Sequence, residues 1–212
     1  MQTFDRAAIK EEAKQVFYRN RNLCVTMALL LIAAEIILTT VSAGFLGILF
    51  SGVIMVTAAD FFVRCWRDQP IAISQAISNT FDEGFLNKLG GMLWMQLKVF
   101  LWALLFIIPG VIKSYSYALT PYILADCHNV PAMEASHISE KMMRGHRMDY
   151  FIMELSFLGW QLLSALTCGI LHVLYVGPYM DLTKAGIYEE LKQIALDTGA
   201  VTQAELDGQI VY

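Results

Sequence analysis

Glu35, Lys98 and Asp181 are the charges that their surroundings explain least. Each falls near the middle of a run of about 20 mostly apolar residues, the length that spans a hydrocarbon layer. A charge at that depth is costly and usually faces a bundle interior or a wet cavity. Lys98 can pair with Glu35 or Asp181, and Asp181 and Lys184 stand at i, i+3 on one helix. Two readings follow. The set lines a polar pathway or binding site, or it forms ion pairs that neutralise one another and fix helix register. The near balance of sign and the absence of an acid cluster weigh toward the ion pairs.

A second polar stripe is Lys113, Ser116 and Thr120, at i, i+3 and i+7, with Tyr115, Tyr117 and Tyr122 around it. It can line a site for an anionic headgroup. The plainer reading is interhelical hydrogen bonding with aromatic anchoring at the interface, and Lys113 is close enough to a helix end to snorkel. Asp126-Cys127-His128 offers three nominal metal ligands, but adjacent helical residues point apart, so no metal and no cofactor is expected. HExxH, GxSxG and phosphate-loop patterns do not occur. Met133, Met142 and Met143 read as a lipid-facing stripe or an adaptable partner surface.

The elements that must carry these groups are long apolar helices. Of 212 residues, 57% are hydrophobic and only 16% charged, against about 25% charged in an ordinary soluble domain. Crossings are expected at 23–41, 44–63, 90–108, 111–125, 150–166 and 169–188, with 1–192 a single membrane domain and 193–212 a solvated cytoplasmic tail. The stretch 90–126 is too long for one crossing, at about 55 Å as a helix. Pro109-Gly110 is the expected break, because proline removes a helix hydrogen bond and glycine allows a tight turn. Val41-Ser42-Ala43 has the spacing of a leader cleavage site, but the mixed-charge start and the long apolar run favour a retained first helix.

Lys and Arg set the orientation. Arg6, Lys10, Lys14, Arg19 and Arg21 precede the first crossing; Arg64, Arg67 and Lys88 sit in the next long loop; Lys141, Arg144 and Arg147 sit in the third; Lys192 follows the last. With six crossings these all share one side, which places both termini in the cytoplasm. The long loops carry amphipathic helices, around Phe4 to Phe17, Ile73 to Phe85 and Met133 to Met143, with apolar faces toward lipid or bundle. Amphipathic helix followed by hairpin, three times over, is the pattern of an internal repeat, with Ala8, Ala76 and Ala135 equivalent. Ala43, Gly47 and Ser51 form a small-residue stripe for close helix packing. Cys24, Cys65, Cys127 and Cys168 lie far apart in sequence with no C-x-x-C, so neither a zinc site nor a structural disulfide is expected.

The segments "IPGVIKSYSYALTPYILAD", "EASHISEKMMRGHRMDYFIMELSFLGWQLLSALTCGIL" and "PYMDLTKAGIYEEL" resemble a bacterial integral-membrane family catalogued as domain of unknown function 975. The N-terminal "RAAIKEEAKQVF" is similar to that family's start, so the resemblance spans about residues 4–192. A looser similarity reaches the membrane domains of some glycerophosphodiester phosphodiesterases. What the resemblance implies is a polytopic protein of the bacterial plasma membrane; it brings no activity and no catalytic residues.

The expected protein is therefore all-α and polytopic, and not an enzyme. Its leading role is a membrane scaffold, subunit or lipid-contacting protein. The alternative is a small transporter or export component, with Glu35, Lys98, Lys113, Ser116, Thr120 and Asp181 as its polar groups. Expected partners are membrane lipids and a protein partner or second copy. Nothing in the charge pattern invites nucleic acid.

Overall fold

The computed structural model describes residues 4–41, 45–69, 72–81, 84–105 and 107–209, and every regular element in them is helical. Helix α1 (Arg6–Arg19) starts where the Asp5 carboxylate accepts from the backbone N–H groups of Ala7 and Ala8, a side-chain N-cap. Helix α2 (Arg21–Val41) has no internal proline or glycine, so nothing breaks its hydrogen-bond ladder. Then come α3 (Phe45–Trp66), α4 (Ile73–Phe81) and α5 (Phe85–Leu105). The turn at Ser42, Ala43 of the small-residue stripe, and Pro70 lie outside the described residues.

Prolines decide the next elements. Helix α6 (Ile107–Ser116) carries Pro109 in its first turn, where the missing N–H costs no bond. It packs back along α5. A Cβ on Gly110 would lie 2.7 Å from the Cα of Ala103, so only glycine lets the two backbones approach this closely. The single helix expected over 111–125 is instead two. Pro121 has no N–H to give to the Tyr117 carbonyl, so the ladder ends at Ser116 and restarts as α7 (Thr120–Asp126).

Helix α8 (Ala132–Met142) follows, and the crossing expected over 150–166 then comes in two pieces, α9 (Arg147–Leu155) and α10 (Leu158–Leu166). At the joint the Ser156 hydroxyl donates back to the Met153 carbonyl, and the Phe157 N–H bonds Glu154 three residues back at 3.0 Å. After a turn with Cys168 at φ 50° and Gly169 at φ 82°, His172–Val176 is π-helical. Pro178 cannot donate to the Leu174 carbonyl, and the wider π turn absorbs that missing bond. Helix α11 (Gly177–Asp197) runs nine residues past the end expected at 188. The expected solvated tail is also partly folded. Helix α12 (Gln203–Leu206) has a Thr202–Glu205 capping box, buries Val201 and Leu206, and pairs Glu205 with Lys141.

The amphipathic helices pack on other helices. Helix α1 lies antiparallel on the π segment and α11: Phe17 meets Tyr175 at 5.3 Å, and Asp5 meets Glu190 at the other end. Helix α8 runs along α5, from Ala132 beside Gly91 to Ser136 under Lys98. Met142 and Met143 are buried, so of the three methionines read as a stripe only Met133 is exposed. Ala13, Ala76 and Ala135 are wholly buried while Ala8 is exposed, so the alanine in the first helix that matches the other two by burial is Ala13.

Away from this packed base the surface is apolar. Arg21–Thr40 is long and apolar enough to cross a membrane, and only 17% of its most apolar window is buried. Ile36 and Ile37 on α2, Phe100 and Leu104 on α5, Ile112 on α6, and Leu162 and Leu166 on α10 all face outward. Gly110→Ala is predicted to cost about 1–3 kcal/mol by forcing α6 off α5. Gly159→Ala on α10, where a Cβ meets nothing within 4 Å, is predicted to be neutral or mildly stabilising. Thermal melts of the two variants in detergent check the contrast.

Candidate functional site

Two polar centres organise the described residues. The first joins the ends of α3 and α7 to the body of α11. Arg67, just past α3, makes a two-pronged contact with Asp126 at the end of α7, at 2.6 and 2.9 Å. Its Nε donates to Glu189 of α11 at 2.7 Å. Lys192 and the Tyr188 hydroxyl donate to the same Asp126 carboxylate at 2.5 and 2.9 Å, and the Tyr188 ring stacks on Tyr122 at 5.6 Å. Burial by itself would raise the Asp126 pKa, but Arg67 and Lys192 outweigh it and hold the carboxyl well below the usual range. Glu189 goes the other way: burial raises its pKa, and its contact with Arg67 only partly offsets that. Asp126 of the Asp-Cys-His triplet is thus an ion-pair hub, Cys127 is buried beside it, and His128 is exposed. Among the described residues no group of three His, Cys, Asp or Glu side chains is placed to hold a metal ion.

The second centre is a cavity of about 280 Å³ between α3, α6, α7, α9 and α11. Glu154, Asp181 and Lys184 line it together with Tyr115, Tyr122 and Tyr150. Lys184 turns to Glu154, at 3.3 Å, rather than to its own-helix neighbour Asp181. Glu154 also accepts from the Tyr115 hydroxyl. Asp181 has no ion pair and no hydrogen bond at its carboxylate among the described residues.

The residues singled out in sequence do not form one site. Asp181 alone of the six lines the cavity. Lys98 reaches neither Glu35 nor Asp181; its ammonium donates to Ser136 at 2.8 Å and sits 5.3 Å from the rings of Trp94 and Tyr117. Lys113 does not reach outward to an interface but pairs with Glu140 of α8 at 2.6 Å, which lowers the Glu140 pKa. Ser116 is buried, with its hydroxyl on the Ile112 carbonyl and its own carbonyl accepting from Ser139. Thr120 is buried, and its hydroxyl has no partner among the described residues. Glu35 is exposed on α2 with no ion pair among the described residues. Sequence spacing missed Arg67, Glu189 and Lys192 as one cluster, because their contacts join residues 59 to 122 positions apart. It also missed that Cys24 and Cys65 meet, thiol to thiol, between α2 and α3.

Residues 104–195 match a family model described as Protein of unknown function (DUF975). This supports the DUF975 resemblance. No curated protein and no solved structure matches the chain. The resemblance drawn for residues 4–103, and the looser one to phosphodiesterase membrane domains, have no counterpart in these comparisons. The DUF975 match takes in Asp126 and the polar cavity residues Tyr115 to Lys184, but not Arg67 or the α3 wall.

Asp126→Asn is predicted to lower stability by about 3 kcal/mol, because it leaves Lys192 without its carboxylate and Arg67 with half its contacts. The pH dependence has a defined sign. A depressed carboxyl contributes stability above the unfolded value, about 4, and that contribution is lost as pH falls through the lower folded value. Wild type therefore melts progressively earlier below about pH 4, and Asp126→Asn flattens that limb. Lys98→Met strands no ion-paired acid among the described residues, and Ser136 keeps its bond to Met133, so its unfolding free energy is predicted to stay within about 1 kcal/mol of wild type.

Proposed function

We propose that the chain is a multi-pass helical membrane protein with no catalytic machinery of its own, acting as a scaffold, subunit or lipid-contacting component. In this reading six crossings pair into three hairpins, each led in by one of α1, α4 and α8. Both termini lie on the cytoplasmic side of a bacterial plasma membrane. One observation carries it: the outward apolar surface on the far halves of α2, α5, α6 and α10. Leu104 is 74% and Leu166 81% exposed. In water such a surface would drive aggregation; against lipid it costs nothing. Most Lys and Arg side chains lie toward the opposite, packed end, in line with their expected bias to one side, while Glu35 stands exposed on α2 among the apolar residues.

A second reading, a small transporter or export component, is favoured by the polar cavity between α3, α6, α9 and α11. Of its sequence-level residues, Asp181 remains on that route, and Glu154 and Lys184 replace Lys98 and Glu35.

Alkaline carbonate extraction of expressing bacteria tests the membrane assignment: the protein is expected to stay in the pellet, and release into the supernatant would sink it. Orientation is read from Cys168, which is exposed at the α10 turn while Cys24, Cys65 and Cys127 are buried. An impermeant maleimide is expected to label Cys168 in intact spheroplasts. Labelling only after permeabilisation would reverse the topology.

A further inference from the structure

We propose that the cavity around Asp181 is a binding site for an organic ammonium group. The inference rests on the second reading above and names the ligand class of that site. The charge count is the starting point. Glu154 and Lys184 face each other at 3.3 Å and cancel, and Tyr115 supplies Glu154 with a hydroxyl. Asp181 is left as a carboxylate that lines the cavity with no ion pair and no hydrogen bond of its own among the described residues. A cation that reaches the cavity finds in Asp181 an acid with no other partner among the described residues, and pairing there offsets part of the cost of burying both charges.

The walls say which cation. Tyr115, Tyr122 and Tyr150 bring three aromatic rings to the cavity, and ring faces attract ammonium groups. On the α3 side the wall is Met55, Ala58 and Phe62, which suits alkyl carbon rather than a hydrated ion. The space, about 280 Å³, is far larger than a bare metal ion needs and close to the lower end of small-ligand pockets, about 300 Å³. Among the described residues no three ligands converge to hold a metal. At the rim, Met55 is 49% exposed and Ser114 is exposed, so the opening lies beside the apolar outer surface. An amine carried on a lipid headgroup and a free alkylamine present the same chemistry to this opening.

The test uses the full chain, extracted and purified in mild detergent. Hexylammonium chloride is the probe, with sodium chloride at equal ionic strength as control. Saturable stabilisation by about 5 °C is expected for wild type with hexylammonium and not with sodium. Asp181→Asn is expected to weaken the apparent affinity at least about tenfold. Ala58→Leu fills the cavity and touches no charge; it is expected to abolish the response, and it stands as the second variant if Asp181→Asn fails to fold. An equal shift with sodium, no shift with hexylammonium, or full binding by both variants overturns the proposal.

Native mass spectrometry from nanodiscs of phosphatidylethanolamine or phosphatidylglycerol separates the sources. One retained phosphatidylethanolamine on wild type, lost in Asp181→Asn, assigns the headgroup. A hexylammonium response without lipid retention assigns a free amine. Carbonate extraction is scored before purification, so failure of the membrane reading is seen apart from failure of ammonium binding.

Discussion

The contact on which the rest depends is the one between Arg67 and Asp126. A guanidinium presents a planar fork, and the Asp126 carboxylate matches it at both oxygens. That single pair ties the exit of α3 to the end of α7. The spare Nε of Arg67 and the second cation on Asp126 extend the tie to α11 through Glu189 and Lys192. A buried ion pair is weak evidence for net stability, because desolvation offsets much of the attraction. Its value here is positional: the ends of α3 and α7 are brought to one point on α11, and each charge is satisfied only if all three helices arrive.

Around that point the helices are unevenly packed. At the base they pack densely, with Tyr188, Phe17, Phe62, Ile123 and Met153 nearly inaccessible. Toward the far tips of the hairpins, packing thins and the outward side chains are apolar. Charge-clamped packing accounts for the dense half, and the apolar half is the surface that the proposed membrane reading sets against lipid. The polar cavity lies between them, walled by α3 and α11, which the clamp joins, and by α6, α7 and α9. The geometry of Asp181 and Lys184 therefore depends on the same tie, although neither touches it.

The direction in which each lysine turns shows how tertiary contacts overrule local spacing. Lys184 has an acid three residues away on its own helix and instead pairs with Glu154 across the bundle. Lys113 looks in sequence like an interface group and instead reaches Glu140. Lys98 forms no ion pair among the described residues and settles on a hydroxyl near two rings. In each case the partner sits on a helix whose placement follows from packing. The i, i+3 and mid-depth arguments could not supply it.

The sequence by itself determined the helical class, the main apolar helices, the amphipathic helices α1, α4 and α8, and the need for a break within 90–126; the break expected at Pro109-Gly110 is not there, since α6 already begins at Ile107 and holds both residues. Each of these follows from hydrophobic period or proline chemistry, whereas the close approach of α6 to α5 at Gly110 came only with the packed chain. It also marked Asp181 as out of place. Tertiary structure decided how far α11 runs and that the chain after it folds back onto Lys141, whereas the breaks after Ser116 and at Ser156 have local causes in Pro121 and the Ser156 hydroxyl. It alone decided that Arg67, Asp126, Glu189 and Lys192 are one cluster, that Cys24 meets Cys65, and that Asp181 is left unpaired in a cavity. The physical reason is range. Periodicity and turn chemistry act over a few residues, whereas an ion pair or a cavity is defined by groups that only the packed chain brings within 4 Å.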